Sequence, residues 1–178
     1  MNIANKITLV RIFLVPVFLV FKLTDFTPYN ALIAFIIFVI ATITDKIDGT
    51  IARKYNLVTD FGKFLDPIAD KLLVCSALIC LTADAVIPSW ITIVIIGREF
   101  IVSAFRLVCA DTGKTVAASW WGKSKTIAQM AAIIVLLMNV PQLKILGDIL
   151  VYASVVLTIV SLVDYFLKNK EVLKQCSK

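Results

Sequence analysis

Four aspartates stand at spacings that could do chemistry together: Asp45 with Asp48, three apart, and Asp66 with Asp70, four apart. On a helix either spacing puts both carboxylates on one face. The segment from Arg53 to about Asp60 is long enough to return the chain antiparallel, so the two faces can meet. Four carboxylates in a partly dehydrated site cannot all stay ionised without compensation. Oxygen ligands without His or Cys suit hard divalent cations such as Mg²⁺ or Mn²⁺, and two such ions would cancel four charges. Mg²⁺ commonly joins a few carboxylates to substrate phosphates, so the quartet suggests a phosphate-bearing substrate. A calcium-binding EF-hand is excluded, because Asp45-Lys46-Ile47-Asp48-Gly49 lacks its alternating ligands. The chain has no histidine, which excludes Ser-His-Asp and Cys-His catalysis and His-ligated zinc or haem.

The residues around the aspartates suit a phosphate ligand. Gly49 and Ala52 present no obstructing side chain, and Gly62, four before Asp66, permits close backbone approach. Arg53 offers a planar fork of donors for phosphate. A second constellation is basic. Arg98 and Arg106 are eight apart, about 80° around a helix of roughly 3.6 residues per turn, and Lys123 and Lys125 join them from a later segment. At membrane depth such a cluster suggests an anionic acceptor, with Glu99 as an ion-pair partner for Arg98. The plainer reading is a solvated rim of cytoplasmic cations.

The elements that must position these groups are apolar. Of the 178 residues 60% are hydrophobic, against roughly 45–50% in soluble domains, and the mean hydropathy is +0.95. Six apolar segments can be placed at 7–23, 30–54, 61–82, 86–111, 120–140 and 145–167. Each is near the length of about 20 residues that spans a bilayer core. The expectation is one all-α, polytopic membrane domain over 1–178, with no internal repeat and no domain boundary. The N-terminus resembles a signal peptide but has no small-residue cleavage site, and Arg11 interrupts its apolar run, so it reads as retained. Cys75, Cys80, Cys109 and Cys176 form no CxxC, and three lie in apolar stretches as small buried hydrophobes. Trp120 and Trp121 read as interfacial anchors.

Charge settles the orientation. The loops after the first, third and fifth segments carry only Lys22 and Lys144 of the 18 Lys and Arg residues. Positive-inside reasoning puts both termini in the cytoplasm. The net charge of +6 suits the anionic face of a membrane and needs no nucleic-acid partner. The second to fifth segments each have one polar half, and all four halves then fall on the cytoplasmic side. Ionisable groups at that depth are costly unless they face one another or water. The economical arrangement is six helices enclosing a polar chamber open to the cytoplasm.

The string Asp45-x2-Asp48-Gly49-x2-Ala52-Arg53-x8-Gly62-x3-Asp66-x3-Asp70 resembles, at all eight fixed positions, the signature of the CDP-alcohol phosphatidyltransferases. The stretches NIANKITLVR, KFLDPIADKLL, GREFIVSAFR and WGKSKT resemble the branch that uses glycerol 3-phosphate; Ala4 departs from it where proline is expected. The resemblance implies a six-helix enzyme of a bacterial cytoplasmic membrane, usually a homodimer. It would transfer a phosphatidyl group from CDP-diacylglycerol to an alcohol and release CMP. It also implies that Asp45 and Asp66 bridge two Mg²⁺ or Mn²⁺ ions, that Asp48 holds one and Asp70 the other, and that Asp70 is the general base. Asn5, Thr8, Gly49, Arg53, Thr59 and Gly62 would bind CDP-diacylglycerol, and Arg98, Arg106, Lys123 and Lys125 the acceptor phosphate. Inositol phosphate and phosphatidylglycerol, the latter as in cardiolipin synthesis, are the alternative acceptors. A divalent-cation transporter is the alternative of another class, and the apolar outer halves of the segments argue against it.

Overall fold

Each apolar segment forms one helix. The computed structural model describes the backbone of residues 3–54, 60–111 and 120–170, and the side chains of residues 7–44, 68–107, 109 and 120–170. The helices are α1 (Ile3–Leu23), α2 (Asn30–Lys54), α3 (Asp60–Ala83), α4 (Ser89–Asp111), α5 (Trp120–Leu137) and α6 (Lys144–Lys168). A 3₁₀ turn, Pro141–Leu143, leads into α6, and no strand occurs among the described residues.

Local chemistry ends the helices. Between α1 and α2, the Asn30 side-chain oxygen accepts from the Thr27 amide at 3.0 Å and the Thr27 hydroxyl at 2.7 Å, while its amide donates to the Thr24 carbonyl. After α3 the amides of Val86 and Ile87 return to the Leu81 carbonyl, at 2.9 and 3.3 Å, through a left-handed Ala85 with φ 55°. After α5 the left-handed residue is Asn139, φ 53°, a side chain that tolerates this conformation.

Packing follows the three- and four-residue periodicity. On α1, Thr8, Arg11, Val15 and Phe18 are all buried, and α1 packs on α2 and α3. The Phe18 and Phe38 rings, 6.0 Å apart, set the register of α1 against α2. α5 and α6 approach closely at Gly147, where an added Cβ would collide with the Leu136 side chain. The buried hydroxyls of Ser154, Thr158 and Ser161 on α6 donate to carbonyls of their own helix at 2.6–3.0 Å, so no partner helix is needed to satisfy them. Two further contacts tie the end opposite the aspartates: Lys22 Nζ to Asp84 Oδ2 at 2.5 Å, and Thr82 Oγ1 to Thr92 Oγ1 at 2.6 Å.

The outer surface is apolar. Phe13, Ile93 and Ile145 are each about 70% exposed. Among the described residues, one stretch, Pro141–Lys168, is long and apolar enough by composition to cross a membrane, with a mean hydropathy of 2.2.

Candidate functional site

The backbone carries the four aspartates on two unbroken helices, positions 45 and 48 on α2 and positions 66 and 70 on α3. Asn5, Gly49, Arg53 and Gly62 also lie on helical backbone. The side chains of Asn5, Asp45, Asp48, Arg53 and Asp66 are outside the described residues, as is Thr59 altogether. Asp70 is described. It is half-buried and lines a cavity of ≈ 40 Å³ together with Lys71 from α3, Glu99 from α4, and Lys125 and Gln129 from α5. Three helices thus bring their polar halves to one place.

Glu99 organises one wall. Its Oε1 accepts from Lys125 Nζ and, at 3.1 Å, from Arg98 Nη1. Lys125 is 2% exposed, a burial that a lysine tolerates only when paired. Arg98 Nε is also buried and has no hydrogen-bond partner among the described residues, so the guanidinium keeps a donor for something else. Lys71 donates to Ser103 Oγ, whose hydroxyl donates to the Glu99 carbonyl at 2.5 Å, which fixes the lysine against α4. Around this cavity three cations, Lys71, Arg98 and Lys125, face two carboxylates, Asp70 and Glu99. Among the described residues, paired cations in a poorly solvated place can hold an anion.

The four basic residues singled out in the sequence have different surroundings. Lys125 and Arg98 meet through Glu99. Arg106 is exposed, its Cζ 5.9 Å from the centroid of the Tyr165 ring on α6. Lys123 is exposed on the first turn of α5.

Thr8 is 2% exposed and Arg11 fully buried. Seven residues toward the N-terminus from Phe18 is Arg11, and seven residues along from Phe38 is position 45, so the antiparallel register sets Arg11 level with the first aspartate of α2. Sequence reasoning took Arg11 only as an interruption of an apolar run. The usable signal was its place three residues after Thr8, on the same helix face. Gln129 was also missed, although it falls four after Lys125.

Two acidic pairs at helical spacing on continuous helices are oxygen donors of the kind hard cations take, and of the four carboxylates the described one, Asp70, lines the cavity.

Residues 1–160 match the family model described as CDP-alcohol phosphatidyltransferase. A Bacillus subtilis (strain 168) protein named "CDP-diacylglycerol--glycerol-3-phosphate 3-phosphatidyltransferase" is 46% identical, over 97% of this chain and 97% of its own. Proteins of the same name from Rickettsia bellii (strain RML369-C) and Haemophilus influenzae are 39% and 41% identical, over 93% and 92% of this chain and 93% and 91% of theirs.

Proposed function

Since the chain belongs to the CDP-alcohol phosphatidyltransferase family, we propose that it transfers the phosphatidyl group of CDP-diacylglycerol to glycerol 3-phosphate, giving phosphatidylglycerophosphate and CMP. The full-length relatives named for this reaction support the reading. The observation that carries it is the cavity in which the Asp70 carboxylate shares one small space with the buried Lys125–Glu99–Arg98 network. One side can take a proton from an alcohol, and the other can hold an anion.

The hydroxyl oxygen of glycerol 3-phosphate attacks the phosphorus next to the diacylglycerol. The bond from that phosphorus to the bridging oxygen breaks, CMP leaves with the electron pair, and the hydroxyl proton passes to the Asp70 carboxylate. Asp45, Asp48, Asp66 and Asp70 would hold two divalent cations, Mg²⁺ or Mn²⁺, which supply charge neutralisation at the pyrophosphate and acidify the alcohol. Asn5, Thr8, Gly49, Arg53, Thr59 and Gly62 bind the CDP portion. Lys125 and Arg98, held by Glu99, bind the acceptor phosphate, with Arg106 and Lys123 nearer its entry. Arg11, at the level of position 45, supplies positive charge beside the first acidic pair.

The six helices cross a bacterial cytoplasmic membrane, with both termini and the chamber on the cytoplasmic side. The apolar outward face and the distribution of Lys and Arg support this placement, and the family resemblance supports a homodimer. Purified protein given CDP-diacylglycerol should release CMP only when an acceptor is added. Glycerol 3-phosphate should exceed inositol phosphate, phosphatidylglycerol and free glycerol; a better rate with any of the other three would displace this reading.

A further inference from the structure

The cavity contains one polar group that the reaction as described leaves unused. Gln129 is 4% exposed, lines the cavity with Asp70 and Lys125, and its Oε1 is buried without a hydrogen-bond partner among the described residues. A buried amide oxygen without a donor loses its hydration and gains nothing in return. Many buried polar groups with this problem find a nearby hydroxyl or backbone amide; Gln129 instead lines a cavity, where a ligand can supply the donor. Gln129 stands one helical turn beyond Lys125 on the same face of α5. A ligand whose anionic end is held at Lys125 would therefore have both Gln129 and Asp70 on the lining of the same cavity.

We propose that Gln129 is a specificity-determining residue, its side-chain amide accepting a hydrogen bond from the middle hydroxyl of the acceptor. The inference rests on the glycerol 3-phosphate reading above. That molecule has three functional groups in a row, and the cavity, with Arg98 joined to its wall through Glu99, offers a partner for each. The phosphate has Lys125 and Arg98, the terminal attacking hydroxyl has Asp70, and the hydroxyl between them has Gln129. A site built to hydrogen-bond a substrate hydroxyl discriminates strongly against an analogue that lacks it, because the buried acceptor is then left unpaired. Gln129 also fixes the rotation of the three-carbon chain, which aims the terminal hydroxyl at the phosphorus.

The test compares glycerol 3-phosphate with 3-hydroxypropyl phosphate, which keeps the phosphate and the attacking hydroxyl and lacks only the middle one. The wild-type protein should favour glycerol 3-phosphate by about ten- to a hundredfold in kcat/KM, the usual consequence of leaving one buried acceptor unpaired. Gln129→Met, of similar length and without the amide, should bring the two acceptors within about threefold of each other, chiefly by slowing glycerol 3-phosphate. A merely structural role for Gln129 would lower both rates together and leave their ratio intact, and that result would overturn the proposal. Equal use of the two acceptors by the wild-type protein would overturn it without any variant. Should neither phosphate acceptor yield CMP while a neutral alcohol does, the acceptor reading itself fails, and the role of Gln129 falls with it.

Discussion

At the scale of single residues, the chemistry turns on what each carboxylate is asked to do. Asp70 lines the cavity and is proposed as both ligand and base, whereas the other three aspartates are proposed as ligands only. Asp70→Asn should therefore lower CMP release by about 10²-fold or more, the usual scale of general-base removal. CDP-diacylglycerol should still bind, as measured by displacement of a labelled nucleotide lipid. Near-normal turnover would place the base elsewhere. A second expectation concerns the quartet as a charge problem. Four carboxylates need compensation, so EDTA should abolish CMP release and either Mg²⁺ or Mn²⁺ should restore it; full activity in thoroughly chelated protein would contradict the two-cation assignment. The acidic spacing and the signature are legible in the order of residues alone. The assignment of Lys125 to a buried pair with Glu99 is not, because helical spacing gives a direction around one helix and not the distance to the next. The same limit hides Gln129, whose meaning depends on groups contributed by α3 and α4.

At the scale of elements, apolar length located all six helices, and the differences lie at their ends. The second segment, 30–54, coincides with α2. The fourth was expected from 86, yet α4 starts at Ser89 after Pro88, because Val86 and Ile87 are apolar residues of a turn and Ile87 is buried in the core. Hydropathy reports burial, and a buried turn scores like a helix. The fifth was expected to 140, yet α5 stops at Leu137, and the left-handed Asn139 and then Pro141 turn the chain. At the other extreme α1 extends back to Ile3 through residues too polar to register as apolar. The close approach of α5 and α6 yields a third expectation. Gly147→Leu should force the helices apart at Leu136 and destabilise the protein by about 1–3 kcal/mol, the usual cost of overpacking. Thermal unfolding in detergent would show it, and Gly147→Ala should fall between the two, since the Leu136 side chain can partly give way. An unchanged midpoint for Gly147→Leu would mean that the interface is looser than described. Because Lys125 and Gln129 also sit on α5, the leucine variant should lose activity together with stability.

At the scale of the whole molecule, an apolar exterior surrounds a cavity whose charged groups come from helices far apart in sequence. The arrangement explains why charge is scarce yet concentrated. Cations and carboxylates that would be costly in lipid face one another across a small space. The proposed topology of six crossings would place the α1–α2 turn and the α5–α6 turn outside and the C-terminal end of α6 inside. In a background without Cys75, Cys80, Cys109 and Cys176, Tyr29→Cys and Gln142→Cys should react with an impermeant maleimide on intact cells. Lys170→Cys should react only after permeabilisation, and labelling of Lys170→Cys from outside would invert the topology. The central claim is the reaction itself, and the most direct measurement weighs both of its products. Purified protein in vesicles containing CDP-diacylglycerol, supplied with glycerol 3-phosphate and Mg²⁺, should form CMP and phosphatidylglycerophosphate in equal amounts, identified by mass. CMP accompanied by phosphatidic acid, or by a lipid carrying any other headgroup, would contradict it.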